Sequence, residues 1–118
     1  MITHLENRKR NFKTTAVICS SLLTQIKGLM FTPPLKNHQS IIIKFKAERN
    51  IPIHMMFVFY PIDAVWLDKD LKIVHMARNI KPFFSYINPN KPAIAVLETR
   101  SNITRNLKIG DFLTANNL

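Results

Sequence analysis

Residues 51–70, with the sequence IPIHMMFVFYPIDAVWLDKD, constrain the fold more than any other part of the chain. The segment is rich in β-branched and aromatic residues, is interrupted by Pro61, and ends in an Asp-Lys-Asp turn. This pattern predicts two buried strands and a hairpin rather than a helix. A carboxylate among such apolar neighbours costs several kcal/mol unless it is hydrogen-bonded or neutralised. Asp63 is therefore predicted to have a specific role, either structural or chemical.

The remaining sequence predicts further short strands and one helix. Ser20 or Ser21 can cap a helix whose apolar positions repeat at a spacing of three to four, and Gly28 is the expected left-handed terminator. The predicted buried face of this helix consists of Leu22, Leu23, Ile26 and Leu29. Strands are expected at residues 12–19, 40–47, 53–60, 62–67, 71–77, 93–99 and 112–115. Because strands and helices do not alternate, we expect a mainly β fold: a single small antiparallel barrel or jelly-roll-like sandwich with one short helix.

Length and composition favour one globular domain. The chain has 118 residues, of which 47% are hydrophobic, which excludes intrinsic disorder. Residues 1–11 lack periodicity and are predicted to form a flexible basic arm ahead of a single β domain over residues 12–118. No apolar run reaches the roughly 18 to 20 residues of a membrane span. The single cysteine cannot form an internal disulfide, which fits the reducing cytoplasm, and we expect the chain to be a monomer there.

The net charge of +10 suggests an anionic partner. Nucleic acid is one candidate, and its predicted contacts are Arg8, Lys9, Arg10, Lys44, Lys46 and Arg49. The alternative is that the charge serves solubility. Aromatic residues that could stack on bases are expected elsewhere instead: Phe57 and Phe59, together with Met55 and Met56, in the core or lining a pocket, and Phe83, Phe84 and Tyr86 folded back onto the body. Nucleic-acid binding is therefore the alternative hypothesis rather than the first.

Four sequence blocks together resemble one known family. They are GLMF at residues 28–31, IHMMFVFYPIDAVWLD at 53–68, VLE at 96–98 and GD at 110–111. The chain resembles the uncharacterised family called domain of unknown function 192, also known as uncharacterised protein family 0127. The resemblance implies a small, mainly β domain without an established activity. It gives weight to the motif positions Gly28, Met30, His54, Met55, Pro61, Asp63, Asp68, Glu98, Gly110 and Asp111, but assigns none of them a role.

Three polar residues set into apolar strands are the candidate ligand-binding site: His54, Asp63 and Glu98. Two carboxylates that meet in a pocket would raise one pKa and form an acid/base pair, so a carboxylate-based enzyme is a further alternative. The structural interpretation of Asp63 is that it accepts backbone hydrogen bonds and fixes the Pro61 bend. His54 and His75 match no recognised metal-ligand spacing, and we predict no metal and no cofactor.

These observations favour a non-catalytic binding domain for a small molecule or a protein partner. The ligand is not identified by any motif, and no nucleophile motif or phosphate-binding loop is present.

Overall fold

A mixed seven-stranded sheet organises the chain in the computed structural model, which describes all residues from 1 to 118. Its strand order is β6-β5-β8-β3-β2-β1-β9, and β4 and β7 form a separate two-stranded sheet. The elements are β1 (Ile2–Asn7), β2 (Phe12–Cys19), α1 (Leu22–Lys27), β3 (Gln39–Asn50), β4 (Ile53–His54), β5 (Ile62–Leu67), β6 (Ile73–Ile80), β7 (Tyr86–Ile87), β8 (Pro92–Arg100) and β9 (Thr114–Ala115). The predicted mainly β, sandwich-like class with one short helix is confirmed, although the sheet does not close into a barrel.

One pair of neighbouring strands is parallel, which the sequence prediction of an antiparallel fold missed. β2 and β3 run in the same direction, with Thr15 opposite Gln39 and Cys19 opposite Ile43. A parallel pair needs a crossover connection. Here the crossover contains α1, so this helix is placed over the sheet beside the end of β3.

The N-terminal residues form a strand rather than the flexible arm that we predicted. β1 pairs with β2 along its whole length and with β9 at Leu5 and Glu6. The sequence hides this strand because a buried position carries the polar Thr3 and an exposed position carries the apolar Ile2, which obscures the alternation. Within the β1–β2 turn, Arg10 forms a bidentate ion pair with Asp111, at 2.9 and 3.1 Å, which ties the turn to the C-terminal segment.

The predicted hairpin between β5 and β6 is confirmed. Asp68 closes it, because its Oδ1 accepts hydrogen bonds from the backbone N–H groups of Asp70 and Lys72. The strand predicted at residues 53–60 is only partly present, since β4 ends at His54. Beyond it the chain turns: the Val58 N–H donates to the Met55 carbonyl, and Phe57 has a left-handed φ of 60°.

The sheet has an apolar cluster on each side. On the side that α1 and the β4–β7 pair cover, the buried cluster comprises Cys19, Leu29, Ile41, Ile43, Ile51, Ile53, Met55, Val58, Ile62, Ala64, Trp66, Ile80, Ala93 and Val96. On the other side it comprises Leu5, Phe12, Ala16, Ile42, Val65, Leu67, Ile73, Ala95, Leu97, Leu107 and Leu113. β3, β5 and β8 contribute to both clusters, which explains why their sequences are nearly continuous apolar runs.

Helix α1 begins and ends where the sequence predicts, but its apolar face is not buried. Ser21 caps it, with its Oγ accepting a hydrogen bond from the Thr24 N–H, and Gly28 ends it with a positive φ of 48°. Leu22, Leu23 and Ile26 are 72%, 79% and 60% exposed. The predicted buried face is therefore wrong for these residues. None of the helices in the chain is long and apolar enough to span a membrane.

Candidate functional site

Glu98 is the buried carboxyl group around which the candidate site is built. It lies on β8, a central strand, where it is paired with Ala64 on β5 and with Ile41 on β3. Strand alternation aims its side chain at the sheet side covered by α1. Only 5% of the residue is exposed. Its carboxyl oxygens accept no hydrogen bond from the chain but keep some contact with solvent, since the one fully buried side-chain oxygen without a partner is Oδ1 of Asn50. Buried carboxyl groups are usually hydrogen-bonded, so an unpaired one on a core strand is unusual.

The Glu98 carboxyl lies in a small cavity of about 110 Å³, which we call the Glu98 pocket. Its walls come from α1 and the turn that follows it, from β3, and from residues 51–58. Its lining residues include Gln25, Lys27, Gly28, Met30, His54 and Glu98. Gln25 is fixed by the hydrogen bond that its Nε2 donates to the Lys44 carbonyl, at 2.8 Å.

Gly28 lies directly against the carboxyl group of Glu98. A Cβ atom added at this position would lie 3.7 Å from Glu98 Oε1 and 3.7 Å from Ile43 Cδ1, which is ordinary contact distance. The backbone conformation, with φ 48° and ψ −124°, is one that residues with a side chain rarely adopt. Glycine is therefore required here by the backbone, and its missing side chain leaves the cavity open above Glu98.

Burial controls the charge state of the pocket. It raises the pKa of Glu98 from 4.5 to about 7, since an ionised carboxylate is poorly solvated there. Burial also raises the pKa values of the nearby Cys19 thiol and Tyr60 phenol, and the negative charge of Glu98 raises both further. Below neutral pH, the interior around Glu98 is therefore uncharged, and the carboxyl group can both donate and accept a hydrogen bond.

His54 is the second predicted site residue that lines the Glu98 pocket. It is exposed at the end of β4, and its Nδ1 accepts a hydrogen bond from the Met56 N–H at 3.2 Å. In the neutral ring this contact places the proton on Nε2. His54 therefore belongs to the rim of the pocket, and Glu98 to its floor.

Asp63 lies on the opposite side of the sheet from the other two candidates. It is fully buried and accepts three hydrogen bonds: from the Asn79 N–H at 2.9 Å, the Thr104 N–H at 3.2 Å and the Thr104 hydroxyl at 2.7 Å. These bonds join β5 to the end of β6 and to the segment after β8, whereas we had predicted that they would fix the Pro61 bend. Both carboxyl oxygens of Asp63 are thus hydrogen-bonded within the chain, which is a structural role.

The two carboxylates do not converge on one pocket. In the β5–β8 pair, Asp63 is opposite Thr99 and Glu98 is opposite Ala64, so the two side chains leave the sheet on opposite sides. The acid/base pair on which the enzyme hypothesis depends is not assembled. No three His, Cys, Asp or Glu side chains are grouped as metal ligands, and His75 packs instead against the Trp66 ring, with centroids 5.2 Å apart.

The other motif positions have mainly structural surroundings. Met30 lines the Glu98 pocket, whereas Met55 is fully buried in the core. Gly110, at φ 98°, and Asp111 form the turn before β9, where Asp111 accepts a hydrogen bond from the Lys108 N–H. Arg10 holds the pKa of Asp111 below its ordinary value.

The basic residues proposed for nucleic acid fall into two groups. Arg8, Lys9 and Arg10 lie in the β1–β2 turn, and β2 starts at the end of the sheet where β3 also starts. Lys44, Lys46 and Arg49 lie toward the opposite end, on the later part of β3. The two groups therefore do not form one continuous surface.

A cluster of exposed aromatic residues was missed by the sequence analysis, which expected most of them in the core. Five rings form a continuous chain: Phe57, Phe31, Phe59, Phe83 and Phe84, with successive centroids 4.7, 6.4, 4.9 and 6.2 Å apart. We call these five residues the aromatic patch. All are exposed, as are the neighbouring Met56 and Tyr86, and Phe84 is 97% exposed. The prediction that Phe83, Phe84 and Tyr86 fold back onto the body is therefore wrong, and so is the core position predicted as one of two alternatives for Met56, Phe57 and Phe59.

Solved structures share this fold. One is a proposed transcription regulator from Sinorhizobium meliloti, which superimposes with a TM-score of 0.90 at 20% identity, over 99% of this chain and 94% of that one. Another is a protein of unknown function from Novosphingobium aromaticivorans, with a TM-score of 0.83 at 20% identity, over 97% and 84% of the two chains. At this level of identity, the likeness concerns the fold alone.

Two proteins of known sequence and one protein family are similar to this chain in sequence. A UPF0127 protein from Thermococcus sibiricus is 29% identical over 96 residues, which cover 80% of this chain. A second UPF0127 protein, from Thermococcus kodakarensis, is 25% identical over 99 residues, or 82% of the chain. The matches span 61% and 62% of these relatives' lengths. The family DUF192, described as Uncharacterized ACR, matches residues 3–114, and the chain therefore belongs to this family of unknown function.

Proposed function

We propose that the chain is a non-catalytic binding domain whose ligand inserts a small, neutral, polar group into the Glu98 pocket. The observation that carries the proposal is the Glu98 carboxyl group, which is buried, receives no hydrogen bond from the chain and opens onto a cavity. Because these oxygens keep some contact with solvent, a ligand that hydrogen-bonds to them replaces water, and the net gain of such a bond is about 0.5–1.5 kcal/mol.

Below about pH 7, where Glu98 is mostly protonated, the charge state of the pocket supports a neutral ligand group. A protonated Glu98 can donate to a carbonyl oxygen and accept from an N–H or O–H group. Amides and alcohols offer both functions, and neither has the desolvation cost of a buried ion. Lys27 on the rim makes a cationic ligand less favourable still.

The size of the pocket limits what enters it. A cavity of about 150 Å³ takes up a benzene molecule, so the Glu98 pocket, at about 110 Å³, admits a group of about four or five heavy atoms. This is the size of one side chain or of the end of a larger molecule. The rest of such a ligand would lie over His54 and Met30 at the pocket mouth. A monomer in the cytoplasm, where the single cysteine stays reduced, is the setting that we propose for this activity.

A ligand screen by NMR tests the proposal. Small amides and alcohols, with hydrocarbons of matched size, are added to the labelled full chain, and the backbone resonances of Gly28, Ile43 and Glu98 are followed. We expect amides and alcohols to shift these resonances and matched hydrocarbons to shift them much less. The Glu98→Leu variant removes the polar floor and should lose the amide hits.

The control variant is Asp70→Asn, which removes one exposed carboxylate from the β5–β6 turn and should bind as the wild type does. Amides that bind Glu98→Leu as tightly as wild type, or hits whose resonance shifts lie outside the pocket, would contradict the proposal.

A further inference from the structure

The aromatic patch is built from three loops that hold one another in place. The Phe31 N–H donates to the Phe57 carbonyl at 2.9 Å, and the Phe83 N–H donates to the Met55 carbonyl at 2.9 Å. Phe31, Phe57 and Phe83 all have left-handed backbone φ angles, between 60° and 68°, which are sterically unfavourable for bulky residues. The loops thus hold these residues in a backbone conformation that is unfavourable for bulky side chains, and they leave the rings exposed to solvent. Such backbone strain often marks a functional surface.

The exposed face of α1 enlarges this apolar surface. Ile26 on the helix and Met30 after it line the Glu98 pocket together with His54 and Val58, so the helix and the loop after β4 border the same opening. Leu22 and Leu23 continue the apolar face along the helix. Of the sixteen large hydrophobic residues that are exposed in the chain, ten lie in α1 and in the segments around the aromatic patch. Isolated exposed apolar residues are common, but such a concentration marks an interaction site.

The charges around this surface specify the kind of partner. Residues 7–47 and 71–97 contain no acidic residue, and in 49–62 there is none either. Lys27 ends α1 next to the loop of Phe31, and Lys81 precedes the loop of Phe83; both lysines are exposed. Lys46 and Arg49 lie near the other side of α1, where they share a surface depression with Gln25. The one acid on this part of β3, Glu48, accepts a hydrogen bond from the Lys69 N–H. The partner that complements this surface is apolar in its interior and anionic at its surface.

Two other occupants fit the same surface less well. A second copy of the chain would bring Lys27 and Lys81 close to the lysines of an identical patch, because a twofold interface places like surfaces together. Single-stranded nucleic acid needs free ring faces for base stacking. Phe31 and Phe57 instead stack on each other, 4.7 Å apart with an interplanar angle of 19°, and Leu22, Leu23 and Met56 offer no ring at all. Phe84, at 97% exposure, is the single ring of the patch that is almost fully free.

We propose that the aromatic patch and the exposed face of α1 dock on the surface of a bilayer that contains anionic lipids. The phenylalanine and leucine side chains enter the boundary between headgroups and acyl chains, while the surrounding lysine and arginine side chains bind the anionic headgroups. The mouth of the Glu98 pocket, bordered by Ile26, then opens beside the bilayer.

Vesicle flotation with the full chain tests this inference. The vesicles are phosphatidylcholine alone and phosphatidylcholine mixed with phosphatidylglycerol, each at low and at physiological salt. We expect the chain to float with the mixed vesicles, more weakly at higher salt, and to remain unbound to phosphatidylcholine alone. Phe84→Ser and Leu23→Ser, which replace exposed side chains and leave the core intact, should each weaken binding roughly tenfold.

Phe112→Ser is the matched control, because Phe112 is 54% exposed but lies beside Asn7 and Arg8, near the opposite end of the sheet. It should bind as the wild type does. The inference is overturned if no vesicle binds, if Phe84→Ser and Phe112→Ser bind equally, or if a single-stranded oligonucleotide binds more tightly than the mixed vesicles. A dimer in solution that Phe84→Ser dissociates would also overturn it, by giving the surface another occupant.

Discussion

Glu98 should make the folded chain less stable as the pH rises, whereas most carboxylates make a protein more stable as the pH rises. Replacing Glu98 by glutamine should remove this dependence. The folded chain holds this proton up to about pH 7, whereas the unfolded chain releases it near pH 4.5. Between these values the folded state binds more protons than the unfolded state, so the free energy of unfolding falls as the pH rises. Below about pH 4.5 the group is neutral in both states and contributes no pH dependence.

The size of the effect follows from the same two values. At about 1.4 kcal/mol per pH unit, the interval from 4.5 to about 7 corresponds to a loss of roughly 3 kcal/mol on going from acidic pH to pH 8. Glutamine keeps the shape of the side chain but does not titrate. The Glu98→Gln variant should therefore match the wild type near pH 4 and exceed its stability by up to about 3 kcal/mol at pH 8.

Urea unfolding at several pH values between 4 and 8.5 measures this difference. With a urea dependence of about 1–3 kcal/mol per molar, the midpoints of the two proteins should separate by on the order of 1 M or more at alkaline pH. Asp70→Asn, which removes one exposed negative charge, corrects for the change in net charge and should give a nearly constant difference. A difference between wild type and Glu98→Gln that does not grow from pH 4 to pH 8 would refute the reasoning.

Three further outcomes are expected. Asp63→Ala leaves the buried Thr104 hydroxyl and two backbone N–H groups without their acceptor, so urea unfolding should show a loss of about 3 kcal/mol or more; a loss below about 1 kcal/mol would show that the site relaxes. Gly28→Ala fits the available space but not the backbone conformation, so we expect a loss of about 1–2 kcal/mol by the same method, and an unchanged midpoint would count against the required φ. Arg10→Ala should raise the pKa of Asp111 toward its ordinary value in a carboxyl NMR titration. The ionised Asp111 stabilises the fold at pH values above its ordinary pKa and loses this contribution in acid, so the variant should be less stable at neutral pH. An unmoved pKa would contradict the ion pair.

Local signals predicted the ends of several elements well. Ser21 and Gly28 bound the helix as expected, because capping and a left-handed terminator depend on one or two residues. The strand Ile62–Leu67 and the turn at Asp68 follow equally from a short run of buried residues and an Asp side chain that satisfies its own turn.

Features that depend on distant contacts were not accessible from the sequence. The parallel β2–β3 pair arises from a crossover, and neither strand carries a local signal for direction. β1 is stabilised by β2 and β9, which lie far apart in the sequence, so residues 1–11 alone resemble a loose arm. The hydrophobic spacing of α1 predicts a face, but not whether other parts of the chain cover it.

The sequence predicted only part of the candidate site, because its assembly also depends on contacts between distant strands. Alternation along a strand indicates that Glu98 and Asp63 are each directed to one side, yet the side depends on the register between β5 and β8. That register separates Asp63 from the pocket and leaves Glu98 with His54. The exposed phenylalanines could not be distinguished from core residues by composition, since left-handed turns at Phe31, Phe57 and Phe83 turn them outward.

Gly28 ends α1 and also lines the Glu98 pocket, so the end of the helix forms part of the pocket wall. Residues of α1 and of the turn that begins at Gly28 form one wall of the opening above Glu98. A contact on the exposed leucines of α1 that moves its last turn would therefore also move a wall of the Glu98 pocket. Binding to the exposed face of α1 and access to Glu98 thus depend on the position of the same short helix.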